Sequence, residues 1–350
     1  MSITIVRSIP EADWRRFVEQ HPSGNIFHTP EMFKVFSFTQ RHRPQLWAAL
    51  EGEQVLALFL PVEITLANGL FAPITTRTVV YGSVLNIPNQ EGNEALKILL
   101  RAYTRDVKQK SVFTELRNMS DQMAIRSVLI GQGYIYENHL NYLIDLDQST
   151  ESIWHNISKS IRKHIKTAQK KGAEILNVTD RQQMKISYQL IKKAFHRIRV
   201  PVADFSLFES AFDILVSCGM LKIFLVRAEN CYISTRLILT YKGMIFDWYA
   251  GSDRYYASYY PEEFMIWHIL KWGKDQGFHV FDFGGAGKPK EYYGPREFKS
   301  KWGGTLKDYG REIRVNAPIK LKLSKAGYQL LRKIHLSSLL SVCERRRKRC

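Results

Sequence analysis

Apolar and polar positions alternate through residues 45–65, and the break at Glu51-Gly52-Glu53 predicts a hairpin turn between two strands. Residues 78–85 read as a further strand. Then EGNEALKILLRAYTRDVKQ (91–109) changes period: Leu96, Leu99, Leu100 and Tyr103 share one face of a helix. SVFTELRN (111–118) follows as a buried strand, and a helix from Asp121 to Gly131 and a strand at 134–146 close this half.

The second half repeats that order. Three strands are expected at 221–227, 232–240 and 244–250, joined by tight turns at Glu229-Asn230 and Lys242-Gly243. A helix follows at 261–276 with Pro261 in its first turn, and HVFDFGG (279–285) takes the place of SVFTELRN. Each half also opens with a strand and two helices, 2–7, 11–20 and 30–38 in one, 173–179, 180–198 and 206–217 in the other. The repetition predicts a duplicated α+β domain, each copy a mixed, mostly antiparallel sheet flanked by helices. The expected division is 1–150, then 151–316 with a linking helix at 151–172, then a tail at 317–350.

The linker SIWHNISKSIRKHIKTAQKKG (152–172) carries Ile153, Ile157, Ile161 and Ile165 four residues apart, which makes one apolar stripe. Ser149 or Thr150 suits its start and Gly172 its end. Six Lys/Arg and no acid lie between Ser158 and Gly172. A solvated helix usually mixes signs to gain i,i+4 pairs, so this face suits either solvent or an anion.

Charge extends that picture to the whole chain. Fifty-one Lys+Arg against 33 Asp+Glu leave a formal +18, and residues 317–350 alone, with ten Lys/Arg and one Glu, carry +9. Such a balance predicts an anionic partner: nucleic acid, a phosphorylated molecule or an anionic membrane. The four cysteines form no CxxC pair and the ten histidines no HExxH spacing, so neither a disulfide framework nor a metal site is indicated. The longest apolar run, 55–64, is too short for a bilayer and is broken by Pro61 and Glu63. With no signal-peptide pattern at the start, a cytoplasmic protein is expected.

A mixed sheet used twice, SKSIRKHIKTAQKKG between the copies, WYAGS, FDFGG and REFKSKWGG together resemble the Fem-type peptidyltransferases. These are tandem acetyltransferase-fold (GNAT-like) proteins that move an amino acid from aminoacyl-tRNA onto a peptidoglycan precursor. The resemblance runs from about residue 25 to 315. It implies that Lys299, in the Phe-Lys segment, faces the junction of donor and acceptor as the catalytic residue. It also implies that Tyr249 of WYAGS contacts the precursor, and that Arg197 or Arg199 grips a diphosphate. Lys34 matches a phosphate-binding lysine of the first domain. Arg162 would hold phosphate or the tRNA acceptor end, and Lys301, on the opposite face if the segment is extended, is a further candidate. Asp282 suits capping of a neighbouring loop better than a general base.

The donor is open to a physical test. A coenzyme A site of this fold needs a glycine-rich nest between the last meander strand and the following helix. SDRYYASYYPEEF (252–264) has no such glycine, and in NIPNQEGNEA (86–95) Gly92 is one place early. This favours a tRNA-linked donor with no cofactor, over an acyl-CoA-dependent acyltransferase of an envelope polysaccharide or lipid pathway. A non-catalytic basic RNA- or membrane-binding module is the remaining reading. In the tail, Leu323, Leu330, Leu331, Ile334 and Leu340 beside Lys322, Lys325, Arg332 and Lys333 form a basic amphipathic pattern suited to peripheral contact with an anionic membrane face.

Overall fold

The computed structural model describes residues 2–67, 69–107, 110–324 and 326. Among these, the strands form three sheets. A four-stranded antiparallel sheet joins Ile3–Val6, Trp47–Glu51, Gln54–Phe59 and Leu85–Asn86. A six-stranded sheet runs His42–Pro44, Val62–Thr65, Thr76–Tyr81, Phe113–Arg117, Arg311–Val315, Ile135–Glu137. The seven-stranded sheet of the second half runs Glu174–Asn177, Leu221–Ala228, Cys231–Tyr241, Met244–Ser252, Val280–Gly285, Leu140–Asp145, Thr305–Asp308. The first two sheets are consecutive stretches of one path that bends at Pro61, which has no N–H to offer a ladder.

Both halves carry one parallel strand pair, and these pairs position the site. In the first half Thr76–Tyr81 lies parallel to Phe113–Arg117, with the helix Gln90–Val107 crossing between them. That helix buries Leu96, Leu99, Leu100 and Tyr103, the face read from its period, together with Ala95 and Val107. In the second half Met244–Ser252 and Val280–Gly285 pair only from Met244↔Val280 to Phe246↔Asp282, across the helix Pro261–Asp275. Both strands continue beyond that last pair without pairing, so the sheet opens into a V. The element order thus repeats as the sequence pattern predicts.

Three expectations need correction. The division at residue 150 does not separate the sheets: Leu140–Asp145 lies between Val280–Gly285 and Thr305–Asp308, and Arg311–Val315 lies between Phe113–Arg117 and Ile135–Glu137. Each half therefore lends a strand to the other. The linker is two helices, Thr150–Asn156 and Lys159–Lys170, because Ile157 is extended and the Ser158 hydroxyl caps the second helix by accepting from Ile161 N. The isoleucine stripe survives the break, with Ile153, Ile157, Ile161 and Ile165 all buried. REFKSKWGG is also not extended, since Gly294–Ser300 is helical. Of the tail, helix begins at 318 and Leu323 is exposed. Lys325 and the rest of the amphipathic pattern beyond Gly327 lie outside the described residues.

Candidate active site

The C-terminal ends of the two parallel pairs face a cavity of about 280 Å³ between the halves. Phe27, Phe36 and Tyr81 from the first half and Phe246, Trp248 and Tyr249 from the second form its aromatic wall. Phe27 stacks on Tyr81 at 5.3 Å and meets Phe246 edge-on at 5.6 Å, so aromatic packing joins the halves at this point. Tyr249 is braced by Phe208 at 4.7 Å, and burial pushes its hydroxyl well above the ordinary tyrosine range. It stays a neutral hydrogen-bonding group.

The polar lining comes mainly from Arg117, Asn118, His139, Asn141 and Arg311, with backbone at Gly82, Gly285 and Gly310. Glu115 Oε2 accepts from Arg117 Nε at 2.9 Å, and its Oε1 accepts from Arg311 Nη1 at 2.7 Å. Arg311 Nη2 lies 2.8 Å from His139 Nε2. Burial, reinforced by that guanidinium, lowers His139 to about 4, so the ring is neutral and Nε2 accepts.

Lys299 lies behind this wall rather than in it. Its ammonium donates to the carbonyls of Phe283 at 2.6 Å, Gly284 at 3.3 Å and Gly285 at 2.8 Å. Of these three residues, Gly285 lines the cavity. The segment is pinned as its aromatics suggest: Trp302 is fully buried, 6.1 Å from both Phe283 and Phe298. Burial lowers Lys299 to about 8, against the opposing pull of Asp247 and Asp282.

Those two acids complete a buried charge cluster. Asp247 pairs with Arg236, which also binds Glu262 at 2.9 Å, and burial raises Asp247 above its ordinary value. Asp282 accepts from Gly284 N at 2.7 Å and from Asn141 Nδ2 at 3.1 Å, which is the loop-capping role expected of it. Burial raises Asp282 to about 6. The folded chain therefore holds this proton between pH 4 and 6, where the unfolded chain has released it. The Asp282 contribution to stability falls as pH rises through that window. Relative to Asp282→Asn, the wild-type melting temperature is expected to drop from pH 4 to 6, and parallel curves from calorimetry at both pH values would contradict it.

The other expected residues do not converge on the cavity. Lys301 is exposed, and its carbonyl accepts from Ser158 N at 2.8 Å. Arg197 is exposed and donates to the Ser252 carbonyl at 3.2 Å, while Arg199 is exposed with φ of 57° just past the same helix. Lys34 pairs with Glu11 at 3.0 Å on the surface. Arg162 lines a separate open groove with Trp154, Lys159, Lys163, Lys166 and Lys170. That helix lies against the start of Pro261–Asp275, where His164 stacks on Tyr260 at 3.8 Å and bonds Glu263 at 3.1 Å. Sequence reasoning missed Arg117, His139 and Arg311. The Glu-x-Arg ending of SVFTELRN is a signal for the first, since charges at the end of a buried strand ask for partners. Arg311 meets Glu115 from 196 residues away, which no local pattern reveals.

In the second half, the stretch without a glycine nest is ordered. A short 3-10 helix, Arg254–Tyr259, leads into Tyr260 in the left-handed region, and Pro261, Glu262 and Glu263 form the first turn of the helix. Proline removes an N–H donor there, and two carboxylates occupy the end of a helix dipole that favours anions.

Comparison with known proteins agrees with this fold. A family model described as an acetyltransferase (GNAT) domain matches residues 156–300. A lipid II:glycine glycyltransferase of Staphylococcus epidermidis is 20% identical, the match covering 91% of this chain and 96% of the relative. One of Staphylococcus aureus is 19% identical with the same coverage. Among solved structures, FemX superposes with a TM-score of 0.69 at 16% identity, covering 94% of this chain and 99% of FemX. A tandem GNAT protein from the clavulanic acid biosynthesis pathway gives 0.56 at 10% identity, covering 91% and 99%. The fold is a tandem acetyltransferase architecture. Within that architecture, the sequence is similar to lipid II:glycine glycyltransferases and the fold to FemX.

Proposed function

We propose that this enzyme transfers an aminoacyl group from a charged tRNA to an amine of a peptidoglycan precursor. The observation that carries the donor is the helix start at Pro261, where proline, Glu262 and Glu263 oppose a pyrophosphate. The acceptor reading is supported by the glycyltransferase relatives, whose names specify lipid II. In the reaction the amine attacks the ester carbonyl and a tetrahedral oxyanion forms. The carbon–oxygen ester bond then breaks, giving an amide and a ribose hydroxyl. The amine's proton reaches the departing oxygen through the adjacent ribose hydroxyl, so no dedicated protein base is required. Tyr249 contacts the acceptor in the cavity. Lys299 fixes the Phe283–Gly285 turn at the cavity wall, and its positive charge lies close behind the reacting centre.

The basic groove around Arg162 receives the phosphates near the tRNA acceptor end, and Arg197, Arg199 and Lys34 are outlying phosphate contacts on this reading. Binding of charged tRNA is expected to weaken steeply with salt, while acetyl-CoA shows negligible affinity. Titration calorimetry decides this, and tight stoichiometric coenzyme A binding would overturn the donor assignment in favour of an acyl-CoA-dependent enzyme.

Among the described residues no helix is long and apolar enough to cross a membrane. Action in the cytoplasm, with residues 317–350 touching the anionic face where lipid-linked precursors reside, is the proposed setting. Basic residues near such a surface contribute about 1 kcal/mol each. Deleting residues 325–350 should release the protein from acidic vesicles in a sedimentation assay, and undiminished binding would refute the contact.

A further inference from the structure

The cavity holds a charge arrangement that the transfer chemistry above does not use. Arg117 and Arg311 sit directly opposite each other on neighbouring antiparallel strands. Like charges in that relation are destabilising unless something answers them. Glu115 answers one of the two, with one carboxylate oxygen for each guanidinium. The other groups facing the pair do not supply a second negative charge. His139 is neutral, Asn118 and Asn141 are uncharged, and Glu137, the cross-strand neighbour of Arg311, is engaged by Lys288 at 3.1 Å. Two guanidiniums against one carboxylate leave one positive charge at the cavity floor. Burial also holds Arg311 below its ordinary value, against the pull of Glu115 and, more weakly, Glu137. Both side chains keep partial exposure, 33% for Arg117 and 28% for Arg311, and both line the cavity.

We propose that Arg117 and Arg311 hold a carboxylate of the acceptor peptide, making this pair a specificity determinant for the acidic form of the acceptor. A planar guanidinium suits bidentate binding of a carboxylate. The space favours a carboxylate over a nucleotide phosphate. About 280 Å³ walled by aromatic rings accepts an amino-acid-sized group, not a nucleoside diphosphate. The aromatic wall that includes Tyr249 and Trp248 packs the apolar part of the peptide, and the arginine pair reads its charged end. The inference rests on the acceptor reading of the preceding section and deepens it.

The test titrates the full chain with Nα-acetyl-lysyl-D-alanyl-D-alanine as the free acid and as its C-terminal amide. The wild type should bind the acid roughly tenfold or more tightly, as expected for charge-assisted hydrogen bonds. Arg311→Gln should bring the two forms to equal affinity. Glu115→Gln, which raises the local excess to two positive charges, should widen the preference. A merely structural ion network predicts no such widening, so the second variant decides the matter even if the first is unstable. Equal affinity of the two forms for the wild type, no binding of either at millimolar concentration, or a preference that survives Arg311→Gln would overturn the proposal. Displacement of the acid peptide by uridine diphosphate would reassign the site to phosphate and overturn it equally. Transfer from charged tRNA to both forms at equal rates would remove this clamp while leaving the enzyme's function standing. Discrimination by binding without any transfer would do the reverse.

Discussion

Replacing Lys299 with methionine should cut turnover about a hundredfold, the cost of roughly 1 Å of misplacement at a reacting centre. The ammonium ties three successive carbonyls, Phe283 to Gly285, and methionine leaves all three without that donor. It also strips a cation from the neighbourhood of Asp247 and Asp282. Stability should therefore fall too, by about 2–3 kcal/mol for lost hydrogen bonds to a charged group. Lys301→Met is the control: that side chain is exposed and should be replaceable at no cost to either quantity. The pH profile separates positioning from folding. Wild-type turnover should decline as pH rises through about 8, where Lys299 loses its proton, and Lys299→Arg should push that decline upward. Because Lys299 is depressed in the folded chain, its own contribution to stability does not fall between pH 8 and its unfolded value, so the loss is not unfolding. Steady-state rates alongside thermal melts check both parts, and near-normal turnover by Lys299→Met would remove the lysine from the account.

Trp302→Ala should be the most damaging single change to the fold of this region. The indole is fully buried against Phe283 and Phe298, and deleting a core aromatic of this size costs about 3–5 kcal/mol. At a few degrees per kcal/mol for a protein of this size, the melting temperature should drop on the order of 10 °C. The Nε1 donor has no hydrogen-bond partner among the described residues, so Trp302→Phe gives up packing alone and should cost much less. A calorimetric scan showing equal losses for the two variants would contradict the packing account. Both changes act on one segment, so Trp302→Ala should also loosen the helix Gly294–Ser300 and with it the hold of Lys299 on the cavity wall.

The repeated element order was legible because each element announces itself locally. The leucine spacing of 96–103 and the alternation of 45–65 need no distant partner. The buried Ile153–Ile165 stripe was equally plain, but the break at Ile157 was not, because four-residue spacing continues through a kink that keeps the same face inward. REFKSKWGG was legible as a pinned segment through Phe298 and Trp302, yet its helical form was not, and Lys299 and Lys301 face opposite ways in it as they would on a strand. Hidden altogether was the exchange of Leu140–Asp145 and Arg311–Val315 between the halves. Strand pairing over such separations leaves no local pattern. The cavity floor depends on that exchange, since Arg311 and Asn141 arrive on the two exchanged strands.

The central claim is that this chain moves an aminoacyl group from tRNA to a precursor amine, and direct transfer of label tests it. The full chain would be incubated with tRNAs charged with radiolabelled amino acids and a UDP-linked muramyl pentapeptide, with labelled acetyl-CoA as the competing donor. The account predicts alkali-stable label on the peptide from at least one charged tRNA and none from acetyl-CoA. Label arriving from acetyl-CoA, with none from any charged tRNA, would contradict it.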